Sequence, residues 1–361
     1  MRIGAAVLGA VLILSVLLDA FETVILPRRV THRFRLTGLF FAVTWQPYRA
    51  LAKKFKKKSL KDSFLAYFGP AMILVLLVFW AIGILLGFAL IHWGLGTHIR
   101  QATGSRKFSD DLYFSGTTFF TLGLGDLVPT TGLERAITVL EAGVGLGFLA
   151  IVISYVPVLY QTFSEREVFV NRLNILTGSP PTPGAILSRY ELYTPSELRS
   201  LLEDWQVWIA QLMDSSQSFP VLCHYRSQHS DQSWLTALTA ILDTSALICH
   251  DPDHVFDEGK HSAQLVFTLA AHAAQDICSV LGFRPEPGVV ERADGTHHEH
   301  LLGWLANRGL DEIDLESTMG SIDSYRHHYE TFISSMSASL LIDVPAFCPV
   351  CAPEPHLAIT H

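Results

Sequence analysis

The sequence predicts an all-α membrane protein: three transmembrane helices, a short re-entrant helix between the second and third, and an all-α cytoplasmic domain behind them. Three observations carry this. Apolar runs at Gly4–Leu26, Phe64–Trp93 and Leu133–Phe163 are each long enough to cross a hydrocarbon core, which takes roughly 20 residues. Between the last two, Asp110–Phe120 allows about three helical turns but is too short and polar to span. Beyond residue 184, apolar side chains recur at helical spacing and strand-like alternation is scarce.

Each element has its own warrant. Met1-Arg-Ile ahead of Gly4–Leu26 looks like a signal peptide start. No small-residue cleavage site follows the apolar core, so the run is expected to stay as a first span, residues 1–27. Residues 28–63 form a connecting loop with Arg28, Arg29, Arg33, Arg35, Arg49 and the lysine cluster Lys53–Lys61. No other connection is so basic, and the positive-inside rule puts it in the cytoplasm. The N-terminus is then outside, the cytoplasmic end is the C-terminus, and the location is the cell membrane. Within the loop, Leu36–Leu51 reads as an interfacial helix with Trp45 and Tyr48 near the headgroups, and Lys53–Lys61 suits anionic lipid or anchors the next span. Asp19 and Glu22, one turn apart near the inner end of the first span, either serve function or reach down to Arg28 and Arg29.

Residues 64–163 hold the second span, the short helix, the loop Thr121-Leu-Gly-Leu-Gly-Asp126 and the third span. An irregular glycine loop is tolerated at membrane depth only where it lines a water-filled path. Gly123 and Gly125 suit stacked backbone carbonyls, whose conformations resist a Cβ. At these residues the chain resembles the tetrameric potassium channels, whose filter usually reads Thr-Val-Gly-Tyr-Gly-Asp.

The resemblance covers the helix, pore loop, helix unit. It implies K+ ligated by oxygens of Thr121, Leu122, Gly123 and Leu124, with Gly125 at the outer mouth and Asp126 bracing from behind. It also implies that Tyr113 and Phe114 pack the pore helix, and that four identical chains form a homotetramer in the lipid bilayer. Two residues depart from the family pattern: Leu124 stands where an aromatic hydroxyl is usual, and Phe120 where a small polar residue is usual. Leu124 leaves the strictness of K+ over Na+ selectivity open. In this family the inner helix lines the pore and bends, so Gly143, Gly145, Gly147 and Pro157 are its expected hinge and gate. The glycines equally suit close helix packing.

Residues 164–184 read as a linker ending in Gly178-Ser-Pro-Pro-Thr-Pro-Gly184, and 185–361 as the cytoplasmic helical domain. Helical runs are expected from Thr194-Pro-Ser-Glu197 onward, at Ser233–Cys249, Ser262–Leu281, Glu299–Asn307 and Ser321–Leu341. The segment Ser218–Trp234 groups polar and aromatic side chains, and Tyr225, Arg226, His229 and Trp234 form a possible ligand pocket there, or a solvated corner. Cys348-x2-Cys351-x4-His356-x4-His361 has zinc-knuckle spacing, or is a plain tail.

Charge divides the chain. Residues 1–163 carry 16 Lys/Arg against 8 Asp/Glu, and residues 164–361 carry 10 against 26. So acidic a domain argues against nucleic acid, whose phosphates it would repel. All five cysteines lie in it, consistent with free thiols in a reducing compartment. No nucleophile, paired carboxylates or cofactor loop suggests an enzyme. The resemblance therefore implies a potassium-selective or potassium-preferring channel, with the cytoplasmic domain acting on its gate. The alternatives are a weakly selective cation channel, and a membrane-anchored receptor or scaffold with a non-conducting pore.

Overall fold

A computed structural model of the chain describes residues 2–24, 36–96, 99–100, 107–190, 195–227, 229, 231–250, 257–285, 292 and 322–347. The chain forms two compact units. One comprises Met1–Tyr48 and Phe68–Gln161, the other Arg49–Tyr67 and Thr162–His361.

The first unit is built on three long helices. Helix α1 (Arg2–Val24) packs along α4 (Phe68–Leu95), with α2 (Leu36–Ala52) beside them. Glycines set the approach of α1 to α4. A Cβ on Gly9 would lie 2.3 Å from the Gly87 carbonyl oxygen, and one on Gly94 would lie 2.5 Å from backbone atoms of Ala6 and Arg2. Small residues allow backbones to meet this closely where no hydrophobic force drives helices together. Polar bonds pin the C-terminal part of α1. The Asp19 carboxylate accepts the Trp80 indole N–H at 2.9 Å, the Thr37 hydroxyl at 2.6 Å and the Thr37 backbone N–H at 3.1 Å. Asp19 thus caps the first turn of α2 and ties it to α4, a structural role. Trp45 is buried against Phe68, with ring centroids 4.7 Å apart.

Helix α5 (Phe108–Phe119) and the first part of α6 (Gly132–Thr177) complete the unit. Among the described residues, three stretches contain a run long and apolar enough to cross a membrane: Arg2–Val24, Lys58–Leu95, where α4 supplies the apolar part, and Gly132–Thr177. By contrast α5, at 12 residues, reaches only about 18 Å against a hydrocarbon thickness of about 30 Å. Strands β1 (Ile99–Arg100) and β2 (Val128–Pro129) pair antiparallel, Ile99 with Pro129 and Arg100 with Val128.

Every regular element among the described residues of the second unit is a helix. Helix α9 (Trp234–Cys249) is buried along its whole length. Around it lie α7 (Pro183–Tyr190), α8 (Pro195–Ser218), α10 (Asp257–Val280) and α11 (Glu330–Leu340). Local chemistry sets several ends: Pro195 opens α8 where a missing N–H costs nothing. The Ser233 hydroxyl caps α9 by accepting the Thr236 N–H at 2.9 Å.

The unit divides from the first at Gln161/Thr162, inside α6, rather than within the expected linker 164–184. Val170 and Leu173 of α6 belong to the second unit's core, and Phe169 stacks on Trp208 at 4.6 Å. Residues 181–187 are buried as well. Arg166 is likewise buried. Its guanidinium donates to the carbonyls of Leu222 (2.8 Å) and Tyr225 (3.3 Å), fixing the 3-10 turn Pro220–His224.

The connecting segment also joins this unit. Helix α3 (Lys58–Ala66) lies in it, Lys58 pairs with Asp343 at 3.1 Å, and the Arg49 guanidinium donates to the Ala338 carbonyl at 2.8 Å. A cationic segment thus finds an acidic partner.

One buried polar network crosses the core. Arg292 donates to both oxygens of Asp243 (2.9 Å each) and both of Glu330 (2.8 Å each), and the Tyr329 hydroxyl donates to Asp243 at 2.6 Å. The two carboxylates hold the Arg292 guanidinium well above its usual range despite its burial. Cys223, Cys249 and Cys278 are buried free thiols, and burial pushes the Cys249 thiol up to about 11.

His224 gives the unit a pH dependence. Burial, with Arg226 adding repulsion, holds its imidazole down to about 4 rather than 6.5. Between those values the unfolded chain binds the proton and the folded chain does not. Stability is therefore full above pH 6.5 and falls as pH drops toward 4, by about 3 kcal/mol. The His224→Gln variant should lose less stability than wild type between pH 7.5 and 4.5 in thermal unfolding. Equal losses in the two proteins would remove His224 from the account.

Candidate functional site

The site begins at the C-terminal end of α5. Helix α5 starts with Asp110 accepting the Lys107 backbone N–H at 2.9 Å, and ends at the C-cap Phe120. Its last turn fastens the loop that follows. The Thr117 carbonyl accepts N–H groups from Leu122 at 2.7 Å and Gly123 at 3.3 Å, and the Thr118 carbonyl accepts from Thr121 at 3.0 Å. These carbonyls form the negative end of the α5 dipole, about half an elementary charge, which favours a cation nearby.

Backbone handedness then alternates. Thr121 has φ 56°, Gly123 54° and Gly125 79°, whereas Leu122 and Leu124 keep ordinary negative φ. Alternation of left- and right-handed residues turns successive peptide units so that their carbonyls line one side. Such a row can replace part of a cation's hydration shell. The glycines adopt this conformation freely; Thr121 does so at a cost of about 1–2 kcal/mol, held by its hydrogen bond to α5. A Cβ on Gly123 or Gly125 would meet nothing within 4 Å of the same chain, so backbone conformation rather than space calls for glycine.

Neighbouring residues fix the loop from behind and beyond. The Tyr113 hydroxyl faces the Asp126 carboxylate. Phe114, one residue on, is buried with its ring edge-on to His92 at 5.2 Å. After the loop, the β1–β2 pair clamps Val128–Pro129. Glu134 accepts the backbone N–H groups of Thr130 (2.8 Å) and Thr131 (3.0 Å), capping α6. All six residues 121–126 are exposed in the single chain, Leu122 at 62% and Leu124 at 65%.

The expected hinge residues separate in the structure. A Cβ on Gly145 would lie 2.2 Å from the Phe119 carbonyl oxygen, so α6 rests directly on the end of α5 there. Gly143 and Gly147 have no neighbour within 4 Å of a Cβ, and α6 continues as helix through Pro157.

Sequence reasoning missed one pair. His92 Nε2 lies 3.1 Å from Glu141 Oε2, both side chains wholly buried, joining α4 to α6 beside α5. The signal was present: Glu141 is the one acidic residue between Arg135 and Glu165, within an apolar run. An ionisable residue in such a setting is functional by default and faces a partner.

In the second unit, two of the four residues expected in a ligand pocket share a cavity. Arg226 and His229 line a space of about 290 Å³ whose wall includes α3. Trp234 is instead fully buried, its indole N–H on the Cys223 carbonyl at 3.2 Å. Tyr225 packs its ring 5.3 Å from Phe163, and burial pushes its hydroxyl up to about 12. The zinc-spaced Cys348, Cys351, His356 and His361 lie outside the described residues. Among the described residues no group of His, Cys, Asp and Glu is arranged to hold a metal ion.

Residues 71–161 match the model of a family described as "Ion channel", a stretch running from α4 through the loop to the middle of α6. The "Uncharacterized membrane protein YdjJ" of Bacillus subtilis (strain 168) is 26% identical over 183 residues, which are 50% of this chain and 52% of that protein. The chain thus spans about half the length of the curated relative it matches. No solved structure matches it. These findings support an ion-channel segment at residues 71–161 of a membrane protein.

Proposed function

We propose that this chain is one subunit of a homotetrameric potassium channel of the cell membrane. The observation that carries the reading is the alternating backbone of Thr121–Gly125 at the negative end of a short helix, set between two apolar helices and inside the segment that matches an ion-channel family. A K+ ion would shed water and be held by the carbonyls of Thr121, Leu122, Gly123 and Leu124, with the Thr121 hydroxyl at the inner end. One such row serves only part of an ion's shell, so four chains must surround the axis. Their neighbours would cover Leu122 and Leu124. The basic segment 28–63 argues for a cytoplasmic connection. Because α3 belongs to the same unit as Thr162–His361, the C-terminal unit lies on that side too. Exposed lysines of Lys53–Lys61 remain available to anionic lipid.

The test is flux in proteoliposomes. Purified protein should pass K+ and be blocked by Ba2+, an ion of similar radius and double charge. Absence of any K+ flux, also in protein cut after Gln161, would sink the channel reading in favour of a receptor or scaffold.

Leu124 brings no hydroxyl to the back of the filter, so the Tyr113 hydroxyl facing Asp126 is the polar brace that remains. The Tyr113→Phe variant should therefore lower the K+/Na+ permeability ratio several-fold in bi-ionic reversal potentials while leaving the tetramer intact. An unchanged ratio would show that this hydroxyl does not shape selectivity. A wild-type ratio near unity would favour the weakly selective pore.

A further inference from the structure

The second unit holds a cavity of about 290 Å³, near the lower end of ligand sites. Its wall is composite: α3 supplies Lys58 and Asp62, the segment after the 3-10 turn supplies Arg226 and Ser227, the turn before α9 supplies Gln232, and the chain after α11 supplies Asp343. Three lining residues carry a polar atom shielded from solvent with no hydrogen-bond partner among the described residues. They are Asp62 Oδ2, Ser227 Oγ and Gln232 Oε1. Such atoms cost about 1–3 kcal/mol each when left unpaired, so three around one cavity call for a missing partner.

The cations are already engaged. Lys58 pairs with Asp343 at 3.1 Å and lies 3.9 Å from Asp231, and the Arg226 guanidinium donates to the Leu340 and Leu341 carbonyls at the end of α11. Asp62 Oδ2 and Gln232 Oε1 can only accept, and Ser227 Oγ can accept as well as donate, so a ligand rich in donors meets all three. We propose that this cavity binds a small organic cation bearing N–H donors, an alkylamine or guanidine, and that its occupancy biases the pore. Burial raises the Asp62 carboxyl ahead of the opposing pulls of Arg226, Lys58 and Lys61.

The route to the pore is covalent: only Tyr67 separates α3 from α4. A ligand that holds α3 against the rest of its unit shifts the pore only by its differential affinity for the two states. This half of the proposal rests on the channel reading; the binding half rests on the cavity alone.

The test uses the full chain in detergent with putrescine and agmatine as probes and glutamate as the anionic control. The amines should raise the unfolding midpoint in a saturable way, and glutamate should not. Asp62→Asn should weaken the amine effect at least tenfold, and Ser227→Ala, which leaves charge untouched, should weaken it less. No amine shift, an equal shift in Asp62→Asn, or preference for glutamate would overturn the site. In proteoliposomes the amine should change K+ flux in wild type and not in Asp62→Asn; direct block of the pore by an amine would persist in the variant. Unchanged flux in a conducting protein that binds amine would overturn the coupling. A protein that binds amine but never passes K+ would overturn the channel reading and leave the site standing.

Discussion

The Gly145→Ala variant should lose at least about nine-tenths of its K+ flux. The added methyl would sit 2.2 Å from the Phe119 carbonyl oxygen and about 3 Å from two more backbone atoms of that residue. Backbone cannot step aside as a flexible side chain would, and packed interiors do not deform continuously. The end of α5 must therefore shift, and with it the Thr117 carbonyl that holds Leu122 and Gly123. Gly143→Ala and Gly147→Ala are the controls. Neither Cβ meets anything in the chain, and alanine favours a helix over glycine by about 1 kcal/mol. Both should assemble and conduct. Wild-type flux in Gly145→Ala would show that the contact with α5 is dispensable. Altered open probability in the two controls, with conductance kept, would assign them to the hinge.

The second large effect is expected in the other unit. Asp243→Ala should destabilise it by about 3–5 kcal/mol, the usual cost of removing one member of a buried ion pair. That is a large share of a typical domain stability of about 5–15 kcal/mol. Asp243 accepts both terminal nitrogens of Arg292 and the Tyr329 hydroxyl, so its loss strands donors from two separate segments. The core tryptophans Trp205, Trp208 and Trp234 report unfolding by fluorescence. The double change Asp243→Leu with Arg292→Met should cost less than the single change, because no charge is left buried alone. A midpoint for Asp243→Ala within about 2 °C of wild type would show that the network contributes little, since 1 kcal/mol alone moves the midpoint of a 150–250-residue domain by about 2–4 °C.

Much of the first unit could be read from the sequence, because its signals are local. Apolar run length defines the spans, and the Thr121–Asp126 loop announces itself by glycine spacing between them. Two helices of the second unit were also legible: the expected run Ser233–Cys249 is observed as Trp234–Cys249, and Ser262–Leu281 as Asp257–Val280, while the expected run Glu299–Asn307 lies outside the described residues. What escaped was long-range. His92 and Glu141 meet across 49 residues, Arg292 and Asp243 across another 49, and neither stretch of sequence names its partner. The role of Gly145 was hidden for a similar reason, since a packing glycine and a bending glycine look alike until the facing backbone is known. Gly178–Gly184 has the composition of a flexible connection, yet Thr182 caps Ala185 and the stretch is largely buried. Composition reports solubility of a segment, not whether another segment covers it.

The second unit is assembled from two pieces of chain, and the order of synthesis gives this a temporal consequence. Arg49 leaves the ribosome 289 residues before its acceptor Ala338. At about 5–20 residues per second the wait is roughly 15–60 s. Throughout that interval Lys58 lacks its nearer counter-ion, Asp343, and the segment's positive charge is free to rest on an anionic membrane face. Arrival of the acidic C-terminal half then offers Lys58 a competing counter-ion in Asp343. A nascent chain halted before residue 338 should hold this segment on lipid, and a finished chain should surrender part of it. The same few lysines can in this way serve first as a membrane anchor during biogenesis and later as the seam that closes the mature subunit.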